Sequence, residues 1–538
     1  MKLATPTQMK KIDEAATAHY GIPSVLLMEN AALRVAAKAC EMLSYDNSKR
    51  IVAITGKGNN GGDAFAAIRH LHQWCYPVSV ISLVPPGCVT GDALTYLRIL
   101  EKIGIEIFYI DDESFVREAI LKLAAPDLIL DGIFGTGIHG EVTGVFAAGI
   151  QAILDSPAKI LSIDIPSGIN GKTGQVCGVA VKADETITFS LPKPGLWQYP
   201  GRLHAGKITV ADIGIPSGAA DMAGLTGELL EADDVNRFLP NRPADGHKGT
   251  FGKVLIITGS TGMTGAGTLA AKAAFKTGSG LVYLAVPASL SSVYGMTIPE
   301  AIVIPQADKD GLILEENLDA LLKLASSMNA VIIGPGLTPK APLTRWVNSF
   351  VENCSVPMVI DADALNVLDP HMLRKTKAPA VLTPHPGEFS RLTGIDAEDI
   401  QKDRVEKALQ FSREYNTAIA LKGAGTVVAF PDGTYKINTS GHSCLAVAGS
   451  GDVLAGITGS LIGQGVPYQQ ALALAVFIHG RCGETLAGED DRAGFTAGEL
   501  AEAIPSVISS LKRGSAAEPA YSALPMEGNR KNTSGNRR

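Results

Sequence analysis

The chain has 538 residues, of which 46% are hydrophobic and 19% are charged, and its formal net charge is −7. This length predicts roughly two to four domains, and the acidic balance lacks the basic surface typical of proteins that bind nucleic acid. Seven cysteines without CxxC spacing predict reduced thiols in the cytoplasm, and the absence of a signal peptide and of any run of 18 apolar residues predicts no membrane partner.

The first half alternates strand-like apolar runs with helical segments. IVAIT (51–55) is followed by the glycine-rich loop GKGNNGGD (56–63), a helical stretch and a second strand over 78–84. Two further strands run into polar loops, in DLILDGIFGTG (127–137) and SIDIPSG (162–168). This alternation predicts an α/β fold with a parallel sheet, in which ligands bind at the carboxyl ends of the strands.

Polar side chains mark three of these strand ends. Asn60, Asp131 and Ser167 each follow or end a predicted strand, and their oxygen atoms are donors that suit a hard monovalent or divalent cation rather than zinc. Each loop taken alone is also compatible with a purely structural tight turn. The same chemistry at three strand ends favours a binding site.

A second α/β series follows a segment, 214–230, whose small, polar and weakly periodic residues predict a linker. The predicted strands of this series lie at 253–260, 281–287, 330–337, 357–365, 380–389 and 418–430. The final stretch, 514–538, has few apolar residues and predicts a disordered tail. We therefore expect one domain over 1–218 and a second over 225–512.

The stretch AGSGDVLAG (448–456) places three glycines and a carboxylate at the predicted start of a helix. Backbone N–H groups of Gly449, Ser450 and Gly451 would point at an anion there, and the helix dipole would favour it. Asp452 has two interpretations, which the local pattern leaves open. It caps the helix, or it takes a proton from a substrate hydroxyl.

The motifs of the first half closely resemble a known family. GKGNNGGD, DGIFGTG, SIDIPSG and LPKPGLW (191–197) are similar to the NAD(P)H-hydrate epimerase domain, a Rossmann-like three-layer sandwich. The resemblance implies a potassium ion at Asn60, Asp131 and Ser167, and a substrate-binding, proton-moving role for Asp164. It implies that substrate is also bound by Asn59, Asn60, Gly61, Gly62, Asp63, Gly135, Thr136, Gly137, Ile138, His139, Gly140 and Glu141. Ala64 stands where the family usually has glycine, and we expect its methyl group to crowd this loop.

The second half resembles another family. HKGTFGKVLIITGS, TGAG, GPGL, IDADALN, TPHPGEF, LKGAGT and AGSGDVLAG are similar to the ADP- or ATP-dependent NAD(P)H-hydrate dehydratase, a ribokinase-like α/β fold. The resemblance implies hydrate contacts at Ala266, Gly336, His385 and Asp452. It implies that ADP or ATP, with magnesium, is bound by Lys422, Gly423, Ala424, Gly425, Thr426 and Gly451. The family's usual Asn-Pro-Gly run is replaced by His-Ser-Cys at 442–444.

These residues suit the implied chemistry. A hydrated nicotinamide ring carries a hydroxyl group that leaves poorly, and phosphorylation followed by elimination restores the reduced ring. This route needs a base, here Asp452, and backbone donors for the phosphoryl charge. We expect the first half to interconvert the R and S hydrates and the second half to dehydrate the S form.

Several alternatives stay open at this point. Lys422 is either a phosphate ligand or a solvated surface charge, and His385 is either a substrate ligand or a satisfied loop histidine. Asp361 and Asp363 follow a strand, and we predict that they are turn residues outside the site. For the whole chain, the alternative is a vitamin-precursor kinase joined to a non-catalytic Rossmann-like binding module. In either case we expect only small-molecule substrates as partners, and a homo-oligomer.

Overall fold

A computed structural model describes residues 1–122, 126–138, 140–488, 491–492 and 494–514. The predicted substrate contact at His139 and the predicted tail from residue 515 onward lie outside the described residues. The chain forms two compact units, which we call the first unit (Ala4–Leu225) and the second unit (Met1–Leu3 with 226–514). Strand β1 (Lys2–Leu3) therefore belongs to the second unit, although it opens the chain.

The first unit is built on a seven-stranded parallel sheet with the order β4-β3-β2-β5-β6-β7-β8. Its strands are β2 (Ile51–Thr55), β3 (Val78–Ser82), β4 (Ile107–Tyr109), β5 (Leu128–Gly132), β6 (Lys159–Ile163), β7 (Glu185–Phe189) and β8 (Lys207–Ala211). Its helices are α1 (Pro6–Ala18), α2 (Ser24–Met42), α3 (Asn59–Gln73), α4 (Gly91–Ile103), α5 (Glu113–Lys122), α6 (Gly144–Leu154), α7 (Gly201–His204) and α8 (Ser217–Asp221). The strand order reverses between β2 and β5, which is where ligands bind in open parallel sheets.

Both faces of this sheet are buried because most positions of its strands are apolar. Along β2, Ile51 and Ala53 join one hydrophobic core, whereas Val52 and Ile54 join the core on the opposite face. Successive side chains of a strand point to opposite faces, so a continuous apolar run fits a sheet covered on both sides.

The second unit contains an eleven-stranded mixed sheet with the order β1-β9-β20-β19-β18-β17-β16-β15-β10-β11-β12, and a separate two-stranded ribbon, β13-β14. The strands are β9 (Gly227–Leu230), β10 (Lys253–Ile257), β11 (Leu281–Pro287), β12 (Ile302–Gln306), β13 (Asp308–Lys309), β14 (Leu312–Ile313), β15 (Ala330–Ile333), β16 (Met358–Ile360), β17 (Ala380–Leu382), β18 (Ala418–Leu421), β19 (Val427–Ala429) and β20 (Tyr435–Asn438). From β12 through β18 every pairing is parallel, and the sheet becomes antiparallel at β18-β19-β20. The carboxyl ends of β10, β15, β16, β17 and β18 therefore meet at one edge.

Helices cover this sheet, and one of them approaches its neighbour very closely. They are α9 (Ala232–Asn236), α10 (Thr264–Thr277), α11 (Ser291–Thr297), α12 (Leu318–Ala325), α13 (Ala341–Asn353), α14 (Ala362–Val367), α15 (Pro386–Thr393), α16 (Ala397–Lys402), α17 (Arg404–Tyr415), α18 (Ser450–Gly463), α19 (Tyr468–Ala487) and α20 (Ala497–Arg513). A side chain at Gly456 of α18 would collide with the Ala270 carbonyl oxygen of α10. Glycine there lets the two helices pack backbone to backbone, which fixes the position of the α18 start.

The structure differs from the predicted linker over 214–230. Helix α8 lies inside that segment, and its Ala219 is fully buried with Ala223 against Met9 and Ile12 of α1. Strand β9 then pairs with β20 and with β1 of the second unit. Alanine contributes little to an apolar periodicity yet buries completely, which is why these contacts are invisible in the sequence pattern.

Candidate active sites

In the first unit, Asp131 lies at the end of β5 and is fully buried. One carboxylate oxygen accepts hydrogen bonds from the Ser162 hydroxyl (2.8 Å) and the Ser167 backbone N–H (2.9 Å), and the other accepts from the Ser167 hydroxyl (2.5 Å). All of these donors are neutral, and burial raises the pKa of Asp131 above its ordinary value. A cation next to this carboxylate would reverse that effect.

Asn60 completes the same cluster from the first turn of α3. Its amide nitrogen donates to the Phe134 carbonyl oxygen (2.9 Å), which also lies 3.2 Å from the Ser167 hydroxyl. Its amide oxygen Oδ1 is buried and has no hydrogen-bond partner among the described residues. The position of a Cβ atom at Gly135 lies 3.4 Å from that oxygen. The structure thus brings Asn60, Asp131 and Ser167 into one cluster, in which the Asn60 Oδ1 atom receives no hydrogen bond from the described residues. These oxygen atoms fit a hard cation.

Asp164 follows β6, and it has a left-handed backbone conformation with φ of 64°. Its Oδ1 atom accepts from the Thr188 hydroxyl (3.0 Å) and from the Lys193 ammonium (2.6 Å). Lys193 is only 1% exposed, and it also donates to the Thr188 hydroxyl and the Phe189 carbonyl oxygen. The sequence motif LPKPGLW contains this lysine, but the sequence analysis assigned no role to it. Its position between two prolines, shortly after β7, could have indicated one.

Two further carboxyl groups interact electrostatically with this ion pair. Burial raises the pKa of Asp63 well above its ordinary value, and the charges of Asp164 and Asp13 add to the effect. Burial also raises the pKa of Asp13 to about 6, although Lys193 opposes the shift. Because three carboxyl groups lie near one lysine, at least one of them tends to keep its proton. Neighbouring carboxyl groups with different protonation states are typical of acid–base sites. Asp13, in the first helix, had no sequence signal.

The remaining predicted contacts of the first site fall into two groups. Gly61 and Gly62 pack closely, because side chains there would collide with the Gly56 carbonyl oxygen and with Met28. Asn59, Gly135, Thr136, Gly137, Gly140 and Glu141 are exposed or partly exposed, whereas Ile138 is buried in a hydrophobic core. The methyl group of Ala64 is also fully buried, and it faces Gly132, where an added Cβ atom would lie 2.7 Å from it. It therefore fills the core and does not crowd the loop.

In the second unit, α18 begins at the glycine-rich motif. Gly449 is the N-cap residue with φ of 89°, and no side chain caps this end. Asp452 lies in the first turn, so the capping interpretation is wrong. The position of a Cβ atom at Gly451 lies 3.2 Å from the Lys422 ammonium nitrogen and 3.8 Å from Asp361 Oδ2. The helix start therefore adjoins residues of two other strand ends.

The Asp452 carboxyl group has a pKa that suits a general base. Burial raises its pKa to about 7, the negative charge of Asp361 adds to the shift, and the positive charge of Lys422 opposes it. A base is most effective when its pKa lies near the working pH. Asp452 therefore ionises in the neutral range, at a helix start that favours negative charge.

Asp361 is part of this site, and the prediction that it is an outlying turn residue is wrong. It follows β16, is 1% exposed, and accepts from the Thr383 hydroxyl (2.7 Å) and the Lys422 ammonium (3.1 Å). Lys422 also lies 3.7 Å from Glu388 Oε2, and these two carboxylates counteract the effect of burial and raise its pKa. The solvated-surface interpretation of Lys422 is therefore wrong. Asp363 differs, since its Oδ2 atom accepts from the Thr338 backbone N–H (3.0 Å) in a loop.

His385 is the N-cap residue of α15. Its Nδ1 atom accepts from the backbone N–H groups of Gly387 (3.0 Å) and Glu388 (3.3 Å), so the proton of the neutral ring is on Nε2. The Nε2 atom lies 3.5 Å from Glu388 Oε1, and burial lowers the pKa of the imidazole. Half of the side chain is exposed (51%). His385 is therefore a satisfied loop histidine that still presents an N–H donor.

Ala266 and Gly336 also lie side by side. Gly336 has φ of 64°, and the position of a Cβ atom there lies 3.1 Å from the Ala266 Cβ atom and 2.6 Å from the Met263 carbonyl oxygen. These residues follow β10 and β15, which are neighbours in the sheet. A side chain at 336 would collide with the Met263 carbonyl oxygen, so glycine lets the ends of these two strands pack closely.

Two histidines support the loops around α18. His479 of α19 is within hydrogen-bond distance of the Ser450 hydroxyl (2.9 Å) and carbonyl oxygen (3.0 Å), and burial lowers its pKa to about 4, so it is neutral. His442 belongs to the His-Ser-Cys run at 442–444, which differs from the usual family sequence. Its Nε2 atom lies 2.5 Å from Asp491 Oδ1, and its Nδ1 atom accepts from the Cys444 backbone N–H. The His-Ser-Cys run is therefore held by its own histidine.

Comparison with known proteins assigns both halves. The model of a family described as NAD(P)H-hydrate dehydratase matches residues 254–506, and that of the YjeF-related protein N-terminus matches residues 24–195. A bifunctional NAD(P)H-hydrate repair enzyme of Moorella thermoacetica is 40% identical over 516 residues, which are 95% of this chain and 97% of that protein. The chain belongs to this family. It contains the epimerase and dehydratase halves of a nicotinamide nucleotide repair enzyme.

A second full-length relative agrees with this assignment, and a solved structure of a dehydratase is similar in sequence. The repair enzyme of Thermofilum pendens is 36% identical over 515 residues, covering 95% of this chain and 97% of that protein. A crystal structure of the ADP/ATP-dependent NAD(P)H-hydrate dehydratase of Bacillus subtilis, co-crystallised with ATP and Mg²⁺, is 32% identical, with a TM-score of 0.46, and covers 53% of this chain and 98% of that one. The full-length relatives disfavour a vitamin-precursor kinase joined to a non-catalytic module. Among the described residues, no helix is long and apolar enough to cross a membrane.

Proposed function

We propose that the second unit dehydrates the S form of NADH or NADPH hydrate, with ADP or ATP as phosphoryl donor, at the start of α18. The observation that carries this proposal is the partly buried Asp452 carboxyl group, with a pKa of about 7, beside Lys422 and Asp361. The test is absorbance recovery of the reduced nicotinamide when purified protein receives mixed hydrate epimers with each nucleotide separately. Recovery without nucleotide would contradict the proposal.

Each step of this reaction has a residue to perform it. Asp452 accepts the proton of the ring hydroxyl, whose oxygen attacks the terminal phosphorus atom of the nucleotide. The backbone N–H group of Gly451 and the Lys422 ammonium stabilise the phosphoryl charge, whereas the Ser450 N–H group donates to the Val447 carbonyl oxygen (3.2 Å). The ring carbon–oxygen bond then breaks, inorganic phosphate leaves with that oxygen, and loss of a proton from the adjacent ring carbon restores the reduced nicotinamide.

The nucleotide lies, in this proposal, against the loop from Lys422 to Thr426 between β18 and β19. Gly423 and Gly425 have φ values of 147° and 63°, and the Thr426 hydroxyl donates to the Gly423 carbonyl oxygen (2.8 Å). Magnesium bound with the nucleotide would neutralise phosphate charge. Asp361 fits such an ion, because its Oδ2 atom faces the Gly451 backbone while its Oδ1 atom accepts from Thr383 and Lys422.

We propose that the first unit interconverts the R and S hydrates and that potassium belongs to its site. Exchange of the hydroxyl between ring faces needs an acid for the departing oxygen and a base for the entering water. Asp164, paired with Lys193, is placed to act as the base, and Asp63, whose pKa burial raises well above its ordinary value, is placed to act as the acid. Asn60 Oδ1, Asp131, Ser167 and the Phe134 carbonyl oxygen would hold potassium, which would anchor the loop after β5.

Location and assembly are also proposals. All seven cysteines, which lie within the described residues, are free thiols, and this supports a reducing compartment such as the cytoplasm. We propose a homo-oligomer as the working form. Fractionation of cells and analytical ultracentrifugation of the purified chain would test the two statements separately.

A further inference from the structure

Arg404 is a buried arginine at the start of α17, outside the residues assigned so far. It is 5% exposed, and its guanidinium donates three hydrogen bonds. The Nη2 atom donates to the carbonyl oxygens of Leu421 (2.8 Å) and Lys422 (3.1 Å), and Nη1 donates to that of Ala424 (2.8 Å). All three acceptors belong to the end of β18 and the loop that follows it.

The loop is wrapped closely around this guanidinium. The position of a Cβ atom at Gly423 lies 2.8 Å from Nη2 and 3.1 Å from Nη1 of Arg404. Any side chain at 423 would therefore displace the arginine, and the φ of 147° at this residue is one that L-amino acids rarely adopt. The bend of the loop and the position of Arg404 depend on each other.

The charge of Arg404 has no carboxylate partner among the described residues. Its hydrogen-bond acceptors are three neutral carbonyl groups, and its Nε atom is buried without a partner. Burying a guanidinium in this way is costly, and apolar packing alone would be served better by leucine or methionine. The presence of an arginine beneath this loop indicates that its charge and its hydrogen-bond donors act on the loop.

The direction of these hydrogen bonds indicates how Arg404 acts on the loop. In a trans peptide the carbonyl group points away from the N–H of the next residue. When the carbonyl oxygen of Lys422 turns toward Arg404, the N–H group of Gly423 turns away from it, and it donates to the Thr426 hydroxyl (3.3 Å) within the loop. The arginine thereby withdraws electronegative oxygens from the outer face of the loop, and its positive charge lies behind that face.

We propose that Arg404 is a positioning residue that shapes the Lys422–Thr426 loop for the phosphate-bearing nucleotide and holds the Lys422 side chain in register with Asp361. This inference rests on the nucleotide site proposed above. It does not place Arg404 in contact with any substrate. It predicts that loss of Arg404 weakens nucleotide binding more than it slows turnover.

The test compares Arg404→Gln and Arg404→Lys with a matched control, Arg413→Gln. Arg413 lies on the same helix, and its Nη2 atom also donates to a loop carbonyl oxygen, that of Gly433 (3.5 Å). Like Gly423, Gly433 itself has a positive φ, which is 86° here. The measurements are the Kd of ADP and of ATP by calorimetry, the KM and kcat of dehydration, and the epimerisation rate of the full chain. Epimerisation reports on the first unit and serves as an internal control.

We expect Arg404→Gln to raise the nucleotide Kd and KM about tenfold or more, the factor for one lost charge-assisted hydrogen bond, with a smaller fall in kcat. Arg404→Lys, which keeps the charge and part of the donor set, should fall between that variant and wild type, and Arg413→Gln should leave Kd unchanged. If Arg404→Gln fails to fold, Arg404→Lys alone decides. An unchanged nucleotide Kd in a folded Arg404 variant, or an equal rise of the nucleotide Kd in Arg413→Gln, would overturn this proposal. Wild-type protein that is inactive with both nucleotides would instead overturn the proposed function itself.

Discussion

Replacement of Asp452 by asparagine should make the second unit more stable while removing its activity. The pKa of Asp452 is raised from 3.8 to about 7 in the folded protein, so the folded state binds this proton more tightly than the unfolded state. Ionisation therefore costs stability as the pH rises from about 4 to about 7, and the full shift corresponds to about 4 kcal/mol. Asparagine has no such cost.

The gain from Asp452→Asn must depend on pH. Linkage gives an advantage that grows by about 2.5 kcal/mol between pH 5 and pH 8, because over most of that interval the carboxyl group is ionised in the unfolded state but still protonated in the folded state. The turnover of dehydration should fall roughly 10²–10⁴-fold, which is the usual contribution of a positioned base. Nucleotide affinity should change far less.

Urea unfolding followed by tryptophan fluorescence would measure this gain. The chain has three tryptophans, and in a Trp74→Phe, Trp197→Phe background the buried Trp346 reports on the second unit alone. Asp399→Asn is the control, because the pKa of that exposed carboxyl is lowered by Lys402 and its loss should give no gain at high pH. A stability difference that stays constant from pH 5 to pH 8, or wild-type turnover in Asp452→Asn, would refute the reasoning.

Three further predictions follow from the two sites. Asp361→Asn should move the acidic limb of the pH–rate profile of dehydration to lower pH, because the negative charge of Asp361 helps to raise the pKa of Asp452; a shift to higher pH would contradict this. Asp131→Ala should slow epimerisation and remove its dependence on potassium, while dehydration of the S hydrate continues; a parallel loss of both activities in folded protein would show that the two sites are not independent. We also propose that the chain can be cut after Leu225 into a soluble epimerase piece and a soluble dehydratase piece, the second of which consumes only one epimer rapidly until the first is added back. Complete rapid consumption by the second piece alone would contradict an epimerase role for the first.

Sequence reasoning succeeded where the rule of parallel sheets applies. Asn60, Asp131 and Ser167 were expected to converge because each follows a strand of one sheet, and the structure brings them together. It failed for Asp361, which pairs with Lys422 at a separation of 61 residues. An aspartate after a strand is usually a turn residue, and only the order of β16 and β18 in the folded sheet shows its partner.

The other omissions have the same physical origin. Lys193 gains its importance from burial and from its pairing with Asp164, and Asp13 gains its importance from charges distant in sequence, neither of which a local pattern contains. The methyl group of Ala64 was expected in the binding loop, yet the helical phase of α3 turns it into the core against Gly132. The direction of a side chain within a first helical turn depends on where the helix begins, and this is the least certain part of any helix prediction.

Strand β1 has a consequence for the order of events during synthesis. Lys2 and Leu3 precede the first unit in the chain, but their partners Glu228 and Gly227 follow it. The N-terminal ammonium pairs with Glu231, 230 residues further along the chain. Strand β1 can therefore pair with β9 only after the whole first unit has been synthesised, so this edge of the second sheet closes late.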